Sequence, residues 1–111
     1  MSDASGAGTF RVLLTMEIRP GMAAEFEQTW LSIGEAVTSH PANLGQWLMR
    51  SAEEPQTYHI ISDWADEPRF REFEHSAAHV THRERLHPYR ARGSMTTTHV
   101  VFRLDPTSAA A

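Results

Sequence analysis

The stretch Thr57-Tyr-His-Ile-Ile-Ser-Asp-Trp64-Ala-Asp-Glu-Pro-Arg-Phe-Arg-Glu-Phe-Glu-His-Ser76 changes its period half-way along. Up to Trp64 it alternates as a strand, with Tyr58 and Ser62 on the same face as Trp64. Beyond Trp64 it reads as a helix: Asp66 suits the N-cap, Pro68 fits the first turn, and Phe70 and Phe73 point inward from an amphipathic stripe. A tryptophan that ends a strand just before a helix start can wall a pocket between sheet and helices, and a core tryptophan would satisfy the same position.

Upstream, Glu53-Glu54-Pro55 separates this strand from another at about residues 45–52, which predicts a hairpin. In that second strand Trp47 and Met49 share one face, while Leu48 and Arg50 share the other. The chain opens with a strand carrying Phe10, Val12, Leu14, Met16 and Ile18 on one side, and Arg19-Pro20-Gly21 breaks it. From Met22 the spacing becomes helical, with Met22, Phe26, Trp30, Ile33 and Val37 in one stripe that ends before His40-Pro41. Downstream of Ser76 a further helix is expected through Arg92, stopped by Gly93, and a β-branched strand covers 94–104.

This order, β-α-β-β-α-(α)-β, is the split βαβ of the ferredoxin-like α+β fold, with helices on one face of a four-stranded antiparallel sheet. Leu13, Leu48, Ile61 and Val100 are expected on the opposite face, too apolar to stay wet, so a homodimer with face-to-face sheets is expected. The folded unit covers 9–104, between an N-terminal tail over 1–8 and a C-terminal tail over 105–111, both expected to be flexible.

One domain of 111 residues with a formal charge of −4 excludes a general nucleic-acid binder, which needs a concentrated basic surface. All ten basic residues are arginine. There is no cysteine, hence no thiolate chemistry and no disulfide. No apolar run reaches membrane-spanning length, and a cytoplasmic, membrane-free protein is expected.

On a helical wheel, residues 77–92 place His79, Arg83 and Leu86 on one side, with His82 at its margin. Arg83 is a permanent cation suited to an enolate, phenolate or peroxide oxygen, unless Glu74 or a surface carboxylate claims it. His79 and His82 are the bases available near neutral pH. His75, His79 and His82 follow at i, i+4 and i+7, yet no acidic or cysteine partner completes a metal site, so no metal is expected.

The Arg-Pro-Gly turn before a long helix, and Ser62-Asp-Trp64 through Ser76 followed by a histidine- and arginine-bearing helix, resemble the antibiotic biosynthesis monooxygenase family. That resemblance spans nearly the whole folded unit and implies a dimeric α+β barrel with one pocket per subunit. It further implies a cofactor-free monooxygenase that converts an aromatic polyketide intermediate, an anthrone or phenol, to a quinone, with dioxygen as co-substrate. The residues expected to serve are Trp64, Arg83, His79 and His82 in catalysis, with Trp47, Met49, Tyr58, Ser62, Phe70, Phe73 and Leu86 around the small aromatic substrate. A polyketide cyclase of the same fold and a non-catalytic aromatic-binding protein are the alternatives. Haem-degrading relatives keep asparagine, tryptophan and histidine where this chain has Leu14, Phe73 and Arg83, which argues against haem degradation. Anthrone oxygenases often keep an asparagine at the place of Ile60.

Overall fold

The computed structural model describes residues 8–106. The expected tails over 1–8 and 105–111 lie outside the described residues, apart from Gly8, Asp105 and Pro106. Strand β1 (Phe10–Ile18) leads to helix α1 (Ala23–Thr38), hairpin strands β2 (Asn43–Arg50) and β3 (Thr57–Trp64), helices α2 (Glu67–Glu74) and α3 (Ala77–Leu86), and strand β4 (Arg90–His99). The sheet order is β2-β3-β1-β4, antiparallel throughout, which is the ferredoxin-like arrangement the sequence predicts. Among the described residues no helix is long and apolar enough to cross a membrane.

Local chemistry sets the joints. The Met22 N–H donates to the Arg19 carbonyl at 3.1 Å across Pro20 and Gly21, and Gly21 has φ +81°, a conformation only glycine adopts cheaply in such a turn. Asp66 caps α2 by accepting from the Arg69 N–H at 2.8 Å, and Ser76 caps α3 by accepting from the His79 N–H at 3.2 Å. The two caps fix where α2 and α3 begin, and α3 carries the polar candidates.

Alternation along β1 buries Phe10, Val12, Met16 and Ile18 against the stripe Phe26, Ile33 and Val37 of α1. The core divides in two. One cluster gathers Phe10, Val37, Trp64, Phe70 and Phe73; the other gathers Ile18, Phe26, Tyr58 and Ile60, and Leu86 packs against both.

Three expectations change. First, α3 ends at Leu86 rather than running to Arg92. Pro88 has no N–H with which to extend the α-helical ladder, so the chain tightens into a single 3-10 turn, His87–Tyr89, and is extended from Arg90. Gly93 therefore lies inside β4, opposite Met16, and β4 stops at His99 instead of Leu104.

Second, β2 faces the other way. Its register shifts between Asn43 and Gly45, which inserts one extra residue opposite β3 and exchanges the faces of everything after it. Leu48 consequently pairs with Ile60 on the helix-covered face, while Trp47 pairs with Ile61 and Met49 with His59 on the open face. Third, Val100 lies past the end of β4, exchanging backbone hydrogen bonds with Gly8 and Thr9.

The open face thus presents Leu13, Ile61, Trp47 and Met49, with Trp47 at 48% exposure. Asp63 on this face is neutralised by Arg11 through two bonds of 2.7 and 2.8 Å, and the Arg11 guanidinium lies 5.9 Å from the Trp47 ring.

Candidate active site

Between the two core clusters, where sheet, α1 and α3 fail to close completely, lies a cavity of about 140 Å³. Its walls are mostly apolar, and its polar groups come chiefly from α3, the last turn of α2 and the start of β4. Most of the residues singled out in the sequence meet here: Ser62, Trp64, Phe70 and Phe73 on one side, with His79, His82, Arg83 and Leu86 from the single face of α3 that the helical wheel predicts.

Three do not reach it. Trp47 and Met49 are on the opposite face of the sheet, because of the shift at Gly45. Tyr58 shares the face of Trp64 but lies at the far end of β3 against Phe26, at a ring distance of 4.9 Å, and its hydroxyl donates to Glu27. Burial, then that bond, pushes the Tyr58 phenol up to about 12, so it stays protonated as a structural group.

Trp64 is 1% exposed and packs at 4.7 Å from Phe73 and 5.4 Å from Phe70. Its indole N–H donates to the Ser62 hydroxyl at 3.0 Å. Trp64 is therefore a wall whose single donor is already engaged, and Ser62 is the hydroxyl that remains to donate into the cavity.

His79 stacks on Phe73 with ring centres 4.5 Å apart, and the His82 ring is 6.2 Å away. Burial, and then the charge of Arg83, push His79 down to about 4, so its imidazole is neutral at physiological pH. His82 is shifted the same way, by burial first and then by Arg85. The Nδ1 atoms of both rings are buried without a hydrogen-bond partner among the described residues, an arrangement native proteins rarely leave uncompensated.

Arg83 is not claimed by Glu74. That carboxylate belongs to Arg71, at 3.1 Å, and among the described residues no carboxylate lies within 4.0 Å of the Arg83 guanidinium. Leu14 and Ile60 both line the cavity, so the middle of its sheet side is apolar, between Ser62 and Arg90.

Sequence reasoning missed Trp30, Gln46 and Arg90 in the lining. Trp30 was in the inward stripe of α1, which is the signal that would have found it. Gln46 donates to the Gly34 carbonyl at 3.0 Å, fastening β2 to α1 beside the cavity.

The family model described as antibiotic biosynthesis monooxygenase matches residues 9–85. Protein SchA of Streptomyces halstedii is 30% identical over 93 residues, which is 84% of this chain; the chain spans only 24% of that longer protein. Among solved structures, SnoaB, a cofactor-independent oxygenase from Streptomyces nogalater, superposes with a TM-score of 0.82 at 18% identity, covering 90% of this chain and 100% of SnoaB. A conserved protein from Methanosarcina mazei Go1 superposes with a TM-score of 0.78 at 15% identity, covering 86% of this chain and 95% of its own.

Proposed function

Because this chain belongs to the antibiotic biosynthesis monooxygenase family, we propose that it oxidises an aromatic polyketide intermediate, an anthrone or phenol, to a quinone without a cofactor, using dioxygen as co-substrate. The observation that carries this reading is Arg83: a guanidinium without a carboxylate partner among the described residues, at an apolar cavity walled by Trp64, Phe70 and Phe73.

The chemistry needs a flat substrate held away from water, a proton acceptor and a cation for the oxygen anion. A base removes one proton from the substrate, and Arg83 stabilises the enolate or phenolate oxygen. The electron-rich anion passes one electron to dioxygen, and the resulting radical pair joins as a carbon–oxygen bond. The peroxide then takes the proton back from the base. Its O–O bond breaks as the remaining C–H proton leaves, giving a carbonyl and water. Four electrons pass from the substrate carbon to dioxygen, one oxygen atom ending in the quinone and one in water.

His82, less buried than His79, is the better matched base. His79, neutral beside Arg83, serves as a hydrogen-bonding group for the substrate. Protein stripped of metal and flavin is expected to take up one dioxygen per anthrone- or naphthol-type substrate consumed. No uptake would remove the oxidation for that substrate class, and turnover undiminished under anaerobic conditions would mark a cyclase instead.

The assembly proposed with this function is a homodimer built on the open sheet face. Leu13, Ile61, Trp47 and Met49 form its apolar centre, and the Arg11–Asp63 pair leaves no uncompensated charge there. Sedimentation velocity at micromolar concentration is expected to give a dimer. A stable monomer at that concentration would rule this assembly out.

A further inference from the structure

The cavity holds a second cation that the proposed oxidation does not use. Arg90, the first residue of β4, lines it with a half-buried side chain. The room for its guanidinium comes from Gly93: a Cβ there would stand 3.1 Å from Arg90 Nη1. Gly93 does not have a positive φ, so the backbone makes no demand for glycine at this position. What the missing side chain provides is a few tenths of an ångström of clearance beside the guanidinium.

The pairing of the other arginines sharpens the contrast. Arg11, Arg50, Arg69, Arg71, Arg92 and Arg103 each have a carboxylate within 4.0 Å, whereas among the described residues Arg19, Arg83, Arg85 and Arg90 have none; Arg19, Arg83 and Arg85 are exposed to water, and Arg90 is half-buried. Glu74, the one carboxylate of the lining among the described residues, is held by Arg71. Of the three half-buried arginines, Arg11 and Arg71 hold carboxylates, and among the described residues Arg90 alone does not. One developing oxygen anion accounts for Arg83. It leaves Arg90 without a counter-charge.

We infer that the ligand of this cavity carries a carboxylate in addition to its aromatic ring, and that Arg90 holds that carboxylate. The planar fork of a single guanidinium matches a carboxylate two bonds to two and neutralises it one for one. A phosphate dianion would call for further donors or a second cation beside it. The inference rests on reading this cavity as the substrate site, but its test reads binding and not turnover.

Isothermal titration at neutral pH with 2-naphthol and 6-hydroxy-2-naphthoate separates the contributions. The naphthoate is expected to bind about tenfold or more tightly than the naphthol, in line with a charge-assisted pair at a half-buried site. Arg90→Gln is expected to abolish that preference while leaving naphthol affinity within about twofold, which also shows that the variant is folded. Gly93→Ala, which crowds the guanidinium, is expected to weaken naphthoate binding selectively, and Arg90→Lys to keep part of the preference. Equal binding of the two compounds to the wild type, binding of neither, or equal losses for both in Arg90→Gln would overturn the assignment. Carboxylate-selective binding without any oxygen uptake would instead sink the oxidation and leave Arg90 in this role.

Discussion

Arg83→Met is expected to lower kcat/KM for oxygen-dependent turnover by about 10²–10³, the usual effect of removing one preorganised group that meets charge developing in the transition state. Methionine keeps the unbranched apolar stem of the side chain, so the wall that the stem forms survives while the guanidinium, with its charge and its donors, is lost. The loss should fall mainly on kcat, because the reacting oxygen is uncharged and gains little from a cation until the proton has gone. A second readout separates a chemical role from a merely architectural one. The charge of Arg83 is one of the causes, after burial, that hold His79 well below the ordinary imidazole range. In the methionine variant the His79 resonance should titrate at higher pH, and in Arg83→Lys it should stay depressed. Turnover within about threefold of wild type, with His79 titrating as before, would exclude Arg83 from the chemistry.

Trp64→Ala should cost about 3–5 kcal/mol of stability, measured by urea unfolding at a fixed protein concentration so that any assembly contributes equally to both proteins. The ring is 1% exposed and is wedged among Phe70, Phe73 and the His40 imidazole at 4.7–5.7 Å. One side of it already borders the cavity, where the removed atoms had few neighbours, which places the expected loss in the lower half of that range. Trp64→Phe, which keeps most of the packing but strips Ser62 of the indole donor, should cost about 1–2 kcal/mol. If the alanine variant lost less than about 1 kcal/mol, the ring would be a removable lining and no part of the core cluster it shares with Phe10, Phe70 and Phe73.

Periodicity carried most of the layout because most elements bury only one face. The alternation of β1 and the stripe of α1 each set several buried apolar residues against a single exposed one, Leu13 and Leu31, so the count decides the orientation. The wheel of α3 placed its candidates by spacing alone, since the helix has no buried residue: His79, Arg83 and Leu86 are spaced to meet on one side, and Ser76 starts the helix. Strand β2 failed because it is apolar on both faces, Leu48 on one and Trp47 with Met49 on the other, so alternation alone cannot say which side is inside. The decision lies in one extra residue before Gly45, an event of pairing with β3 that leaves no periodic trace. Arg90 was hidden by a boundary error. Read as part of the last turn of a helix it had no claim on the cavity, and only the break at Pro88 moves it onto the sheet, beside Gly93.

The three tryptophans occupy different optical environments. Trp64 is dry and locked to a serine, Trp30 borders the cavity from α1, and Trp47 stands on the open face beside an arginine. Red-edge excitation selects the hydrated indole, and energy-rich excitation reaches all three. The emission of one unlabelled chain can therefore report filling of the cavity and covering of the sheet as two separate spectral changes.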